Sequence, residues 1–188
     1  MTESLNESLS YFKDKISDCI KSNKSIFVTT HLDCDGLTSG SIITKALIRE
    51  GAKCTVRTSK EFTKNIAESF KTDSRDFHII TDLAGGFANT LDKELNDNWI
   101  GLDHHQIPDE ELDNQNVINS WKFGIDGGTE ICAGGMAYLA SMALDEKNSD
   151  LSSIAVVSAL GDRQDQGEKK SFIGKNFEIV STARDQGL

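Results

Sequence analysis

Three apolar runs in this chain each stop at an acidic residue or a histidine, and that repetition limits the possible folds more than any other feature. Ser25-Ile26-Phe27-Val28-Thr29-Thr30 runs into His31-Leu32-Asp33-Cys34-Asp35-Gly36. Phe77-His78-Ile79-Ile80-Thr81 stops at Asp82. Trp99-Ile100-Gly101-Leu102 stops at Asp103-His104-His105. Short runs rich in β-branched and aromatic residues read as buried strands. Helical patterns separate them, so the chain predicts βαβ units and a mostly parallel sheet. Ligands bind beyond the carboxyl ends of such strands. Acid or histidine after three separate strands is therefore expected to share one rim.

The remaining pattern fills in that layout. Leu5 to Ser22 carries Leu5, Leu9, Phe12, Ile16 and Ile20 at helical spacing, which predicts a helix at the domain's edge. Leu37 to Arg49 reads as the helix after the first strand, closed by Gly51. Cys54 to Arg57 is a weaker strand, and Val117 to Asn119 a short final one. Glu61 to Phe70 and Phe87 to Leu95 read as helices. From Gly127 onward the chain is helical, in segments from about Thr129 to Leu144, Leu151 to Leu160 and Phe172 to Arg184. The expectation is an α/β domain: a mostly parallel sheet flanked by helices, with a helical C-terminal part.

A length of 188 residues suits one domain, and a core of that size needs no staples. Cys19, Cys34, Cys54 and Cys132 are scattered with no CxxC pair. That points to reduced thiols in a cytoplasmic setting rather than a disulfide frame or zinc ribbon. No apolar run approaches membrane-spanning length, no signal-peptide pattern opens the chain, and no membrane partner is expected. The formal net charge of -10 argues against a general nucleic-acid coat protein. Carboxylates that hold divalent metal would be neutralised, which weakens that exclusion.

Two adjacent imidazoles behind an aspartate at a strand's edge suit a metal site better than a core. Asp33 and Asp35 sit two positions apart where the chain leaves a strand, a spacing that lets both point one way. With Asp82, Asp103, His104 and His105 they make a set rich in carboxylate, with imidazole and no thiolate. Such a set suits Mn²⁺ or Mg²⁺ better than zinc. It holds too many carboxylates for one ion. Two ions ~3.5–4 Å apart stabilise both the attacking and the leaving oxygen in phosphoester hydrolysis. Gly36 is expected to open the turn into the next helix. The N–H groups of Leu37 to Gly40, with the hydroxyls of Thr38 and Ser39, would then face an anion. Gly161-Asp162 supplies a further acid behind an apolar helix, with Asp165 as its competitor. An isolated Asp-x-Asp is usually a turn; the joint occurrence carries the metal reading.

HLDCDG, TDLAGG, GLDHH and ALGD, in that order, resemble the four motifs of the DHH phosphoesterase superfamily. THLDCDGLTSG, the stretch Phe123 to Glu130, and ALGDRQDQG resemble its archaeal RecJ-like branch, which includes nucleases associated with the replisome complex GINS. The resemblance spans roughly residues 24 to 188. It implies a Rossmann-like DHH catalytic domain over residues 1–188, with residues 1–22 as an N-terminal helix, and two Mn²⁺ ions, Mg²⁺ being the alternative. Carried over residue by residue, it implies His31 and Asp33 on one ion, Asp35 on the other and Asp82 bridging both. His104 and Asp162 would complete the second ion's shell. His105 would sit beside the scissile phosphate, and Asp103 would support the two histidines.

The implied activity is hydrolysis of single-stranded DNA or RNA to mononucleotides, in replication or repair, with GINS as a partner. The rivals are a phosphoesterase for short oligoribonucleotides, cyclic dinucleotides or pyrophosphate, and a replisome scaffold. One departure stands out. Members of the superfamily carry a second, C-terminal domain with a Gly-Gly-His type motif that grips substrate. No histidine follows His105, so that domain is expected to be absent.

Other features have plainer readings. His78, inside a strand, is expected in the core or at a sheet edge. Cys34 is expected to face away from the acids as packing. Gly127-Gly128 could form a phosphate-binding turn, and Gly134-Gly135 reads as close helix packing. Arg163, Lys169, Lys170 and Lys175 could touch nucleic acid, but a solvated charge run is the favoured reading.

Overall fold

The computed structural model describes residues 4–70 and 76–188. Five strands form one parallel sheet: β1 (Ser25–His31), β2 (Lys53–Ser59), β3 (Phe77–Thr81), β4 (Trp99–Asp103) and β5 (Val117–Asn119), in the order β2-β1-β3-β4-β5. Seven α-helices flank it among the described residues: α1 (Leu5–Lys21), α2 (Cys34–Arg49), α3 (Lys64–Phe70), α4 (Ala88–Leu95), α5 (Ala133–Leu144), α6 (Ser152–Gly161) and α7 (Gly174–Asp185). The α/β architecture and the helical C-terminal part are as the sequence leads one to expect.

Side-chain alternation fills both faces of the sheet. Ile26, Val28, Phe77, Ile79, Ile100 and Leu102 face one cluster, which Phe12, Ile16, Ile43, Leu47, Met136 and Ala137 complete from α1, α2 and α5. The intervening Phe27, Ile80 and Trp99 face the other cluster, with Ala67 and Phe70 of α3 and Leu91 of α4. Every residue of β3 and β4 is buried, which is why both read as unbroken apolar runs. His78 belongs to this second cluster, stacked on Phe70 with centroids 4.5 Å apart. α6 packs on α2 and α5, and α7 packs on α6, as an outer layer.

The chain leaves β1 toward β2 and returns on β1's other side to make β3. The carboxyl end of the sheet therefore opens between β1 and β3, the place where open α/β sheets bind ligands.

The starts of α2 and α5 differ from expectation, each for a local reason. α2 starts at Cys34, not Leu37. Asp33 is its N-cap, accepting from the Gly36 N–H at 2.9 Å, and the Leu37 N–H donates to the Asp33 carbonyl at 2.9 Å. The Leu37 N–H is thus spent inside the helix, where those of Thr38 to Gly40 also lie. The Thr38 hydroxyl donates to the Cys34 carbonyl, and the Ser39 hydroxyl to the Gly36 carbonyl, so the expected anion cradle is not formed. Cys34 is exposed at the first helical position rather than facing away from a strand; it lies over Gly161. α5 starts at Ala133 instead of about Thr129, because the N–H groups of Thr129 and Glu130 close a turn on the Asp126 carbonyl and Cys132 caps the helix.

Candidate metal centre

The three strand ends and the end of α6 converge. His31 Nδ1 lies 2.8 Å from Asp33 Oδ2 and 3.6 Å from Asp82 Oδ2. His104 Nε2 lies 3.3 Å from Asp35 Oδ2 and 3.4 Å from Asp82 Oδ1, and His104 Nδ1 lies 3.8 Å from Asp162 Oδ2. These contacts form two adjacent donor sets, His31/Asp33/Asp82 and Asp35/His104/Asp162. Asp82 stands between them and turns one carboxylate oxygen to each. Asp162 is therefore the acid turned inward, while Asp165 lines an outer cavity.

Asp33 and Asp35 reach the site by a different route from strand alternation. Asp33 caps α2 with its side chain 53% exposed. Asp35, in the first turn, is 3% exposed and turns toward α5. Its Oδ2 accepts from the Ala133 N–H and its Oδ1 from the Gly134 N–H, each at 2.8 Å, and Oδ1 also takes the Ser158 hydroxyl. The N-terminus of α5 thus fixes one acid of the centre. Gly134 allows the approach, since a Cβ there would meet Ser158.

Both inward histidines have their tautomers set by backbone carbonyls, which can only accept. His104 Nδ1 is 2.6 Å from the Gly127 carbonyl, and His31 Nε2 is 2.9 Å from the Lys60 carbonyl. Each of those nitrogens carries the proton, and the other nitrogen of each ring faces carboxylates. This is the usual arrangement of metal-ligating histidines. Without an ion, an extra proton on His104 Nε2 lets it share that space with the Asp35 and Asp82 carboxylates. Burial disfavours charge on His104, but its contact with Asp82 and the nearby Asp35 and Asp103 win and hold its pKa at about 10.

Asp82 is the most constrained member. It is 3% exposed and adopts a left-handed backbone with φ 61°, a conformation that costs a non-glycine residue about 1–2 kcal/mol. Its Oδ1 is buried and accepts no hydrogen bond. Burial first, then the neighbouring Asp35 and Asp103 charges, raise its pKa to about 7 against the opposing pull of His104. Burial likewise raises the pKa of half-buried Asp162. A buried carboxylate oxygen that accepts no hydrogen bond and faces imidazole nitrogens at 3.4 and 3.7 Å fits hard or borderline divalent cations.

Asp103 belongs to the scaffold of the site. It is the last residue of β4 and fully buried. Its Oδ1 accepts from the N–H of His104 at 2.7 Å and of His105 at 3.1 Å, and from His105 Nδ1 at 2.9 Å. Its Oδ2 accepts from the Gly85 N–H at 2.9 Å. Burial opposes its ionisation, but these donors prevail and pull its pKa down to about 2. With both oxygens occupied it is poorly placed to ligate. His105, its side chain 59% exposed, donates Nδ1–H to Asp103 and leaves Nε2 open to solvent.

Several supports were not evident from sequence. Trp121 Nε1 donates to the His104 carbonyl at 2.8 Å, and Asn119 Nδ2 to the His105 carbonyl at 2.9 Å. Gln164, fully buried, donates to the Gly127 carbonyl at 2.8 Å and to Asp162 Oδ2 at 2.7 Å, and accepts from Asn176 at 2.6 Å. Gly127 serves the site through its carbonyl, and the Gly128 N–H is taken by Asp126 at 2.7 Å, so this glycine pair is not a phosphate-binding turn. A buried glutamine must satisfy its amide, and that rule was the one signal for Gln164.

The model of the DHH family N-terminal domain matches residues 25–161. The chain belongs to the DHH family. An uncharacterised protein of Methanocaldococcus jannaschii is 34% identical to this DHH chain over 166 residues, which cover 85% of the chain and 37% of that protein. RecJ from Thermus thermophilus, in a crystal structure with Mn²⁺, superposes with a TM-score of 0.74 at 19% identity, over 94% of this chain and 26% of RecJ. CDC45 from Entamoeba histolytica superposes with a TM-score of 0.65 at 13% identity, over 99% of this chain and 38% of that one. The chain thus spans about a third of the curated relative and a quarter of RecJ. It has the RecJ-like fold and a place in the DHH phosphoesterase superfamily. Among the described residues no helix is long and apolar enough to cross a membrane.

Proposed function

We propose that this DHH chain is a divalent-metal-dependent phosphodiesterase that hydrolyses single-stranded DNA or RNA to mononucleotides, with Mn²⁺ as the working ion. The observation that carries the reading is Asp82: buried, left-handed, its Oδ1 without a hydrogen bond, and with one oxygen turned to each donor set. Supporting it are the two histidine tautomers and the likeness to a Mn²⁺-bound RecJ.

His31, Asp33 and Asp82 would hold one ion, and Asp35, Asp82, His104 and Asp162 the other. When bound, such ions lower the pKa of water and stabilise charge on the phosphoryl oxygens. The chain's own residues do the rest. Asp103 fixes the rotamer and tautomer of His105. The same Asp103 contact raises the pKa of His105, so that the protonated ring would offer its solvent-facing Nε2–H to the scissile phosphate. With ions bound, the Gly127 and Lys60 carbonyls would hold a proton on the outer ring nitrogens and leave the inward nitrogens of His104 and His31 free to ligate. A replisome complex of the GINS kind is the proposed partner. The resemblance to the archaeal RecJ-like branch suggests it, and pull-down with GINS subunits tests it separately.

The decisive assay is hydrolysis of an end-labelled single-stranded oligonucleotide with Mn²⁺ and with EDTA. Mn²⁺-dependent release of mononucleotides is expected. An intact strand under conditions where the protein demonstrably binds Mn²⁺ would overturn the reading.

A further inference from the structure

Beside Asp162 lies a cavity of about 620 Å³ lined by Asp162, Arg163, Asp165, Gln166 and Lys170. Its size falls within the ~300–1,000 Å³ of small-molecule pockets. Asp162 is common to this cavity and to the proposed metal centre. We propose that Arg163 and Lys170 form a phosphate-recognition subsite there, taking the phosphate next to the scissile one. This rests on the phosphodiesterase reading and names what the site grips beyond the reacting group.

Three observations point the same way. Neither side chain makes a hydrogen bond or ion pair among the described residues, in a protein whose net charge is -10. Both residues adopt a left-handed backbone, φ 57° at Arg163 and 59° at Lys170, which bulky side chains rarely do. The loop that carries them is nonetheless held in shape. Gln166 Nε2 donates to the Arg163 carbonyl at 3.1 Å, the Lys170 N–H to the Gly167 carbonyl at 3.0 Å, and the Gly167 N–H to the Ser171 carbonyl at 2.9 Å. Unpaired cations on a pinned loop beside the reacting centre are what an anionic substrate needs. With Asp162 turned to the centre, Asp165 is the one opposing carboxylate in the cavity. Both side chains are exposed, and guanidinium and ammonium groups make charge-assisted hydrogen bonds to phosphate.

The test compares the wild type with R163Q/K170Q and with D165N. One arm measures binding of a labelled 5′-phosphorylated dinucleotide by anisotropy in EDTA. The other measures kcat and KM with Mn²⁺ for that dinucleotide and for bis(p-nitrophenyl) phosphate, a diester with no second phosphate. The double variant is expected to lose about tenfold or more in dinucleotide affinity, a charge-assisted contact being worth that much. Its preference for the dinucleotide over the simple diester should collapse through KM. D165N should move affinity the other way, an effect that a merely structural role would not produce. Unaltered affinity and preference in both variants would overturn the subsite. If the wild type cleaves neither diester, the phosphodiesterase reading fails, and the EDTA binding arm still decides the subsite: loss in R163Q/K170Q supports it, and equal affinity overturns it.

Discussion

Asp82 concentrates the costs of this site in one residue: a left-handed backbone, burial, and a carboxylate oxygen that accepts no hydrogen bond. Asn tolerates that backbone and removes the charge. Asp82→Asn is therefore expected to lower Mn²⁺-dependent hydrolysis on the order of 10³-fold, while the metal-free melting temperature holds or rises. A variant that is both inactive and unfolded would instead make Asp82 structural. The histidines give a pH signature. In the metal-free fold His104 sits at about 10 against an ordinary 6.5. Its stabilisation is whole below about 6.5 and is lost as pH rises toward 10. Asp82, raised from 3.8 to about 7, prefers its proton in the fold, so stability also falls as pH rises through that window. Asp103, lowered to about 2, acts oppositely and withdraws support only as pH falls through that value. Melting in EDTA should thus decline from mildly acidic pH to pH 10. Mn²⁺, taking the proton's place, should flatten the decline, and a melting temperature independent of pH in EDTA would contradict these ionisations. At this scale the sequence was informative wherever an acid ended a strand. It was silent on Asp33 and Asp35 going separate ways, because that follows from a helix start that no apolar periodicity marks.

Between elements, the site is held by contacts that sequence spacing does not encode. α5 reaches Asp35 through two backbone N–H groups, and α6 reaches it through Ser158. Partners one step removed from a ligand typically change metal affinity by about 10–100-fold. Ser158→Ala should therefore weaken Mn²⁺ binding by about tenfold in a calorimetric titration, while the circular dichroism spectrum stays unchanged. Gly127 is stricter. A Cβ there would collide with the carbonyl oxygen of His104, a backbone atom that cannot swing away. Gly127→Ala should cost about 1–3 kcal/mol of stability as well as metal affinity; denaturant melts that match the wild type would refute the contact. The strands and most helices were legible because β3 and β4 are buried on both faces and α1, α2 and α4 are amphipathic. β2 read weakly because it is an edge strand with several exposed residues. The start of α5 was misplaced because a glycine-rich turn carries the apolar pattern on before the helix begins.

For the whole molecule, strand order decides where the chemistry sits. The order β2-β1-β3-β4-β5 opens the sheet between β1 and β3, and α6 folds back so that Asp162 closes the same centre from outside the sheet. The sequence implied the rim, since three strands ended in acid, but nothing local fixed the return of α6. That return depends on buried Gln164, which ties the Asp162 loop to Gly127 and, through Asn176, to α7. Mn²⁺ stoichiometry distinguishes a paired divalent site that Asp82 would share from any single-ion arrangement. Calorimetry with electron paramagnetic resonance on the wild type should find two Mn²⁺ per chain with the broadened signal of coupled ions, and Asp82→Asn should lose at least one of them. No bound Mn²⁺ in the wild type, or two coupled ions retained in Asp82→Asn, would contradict it.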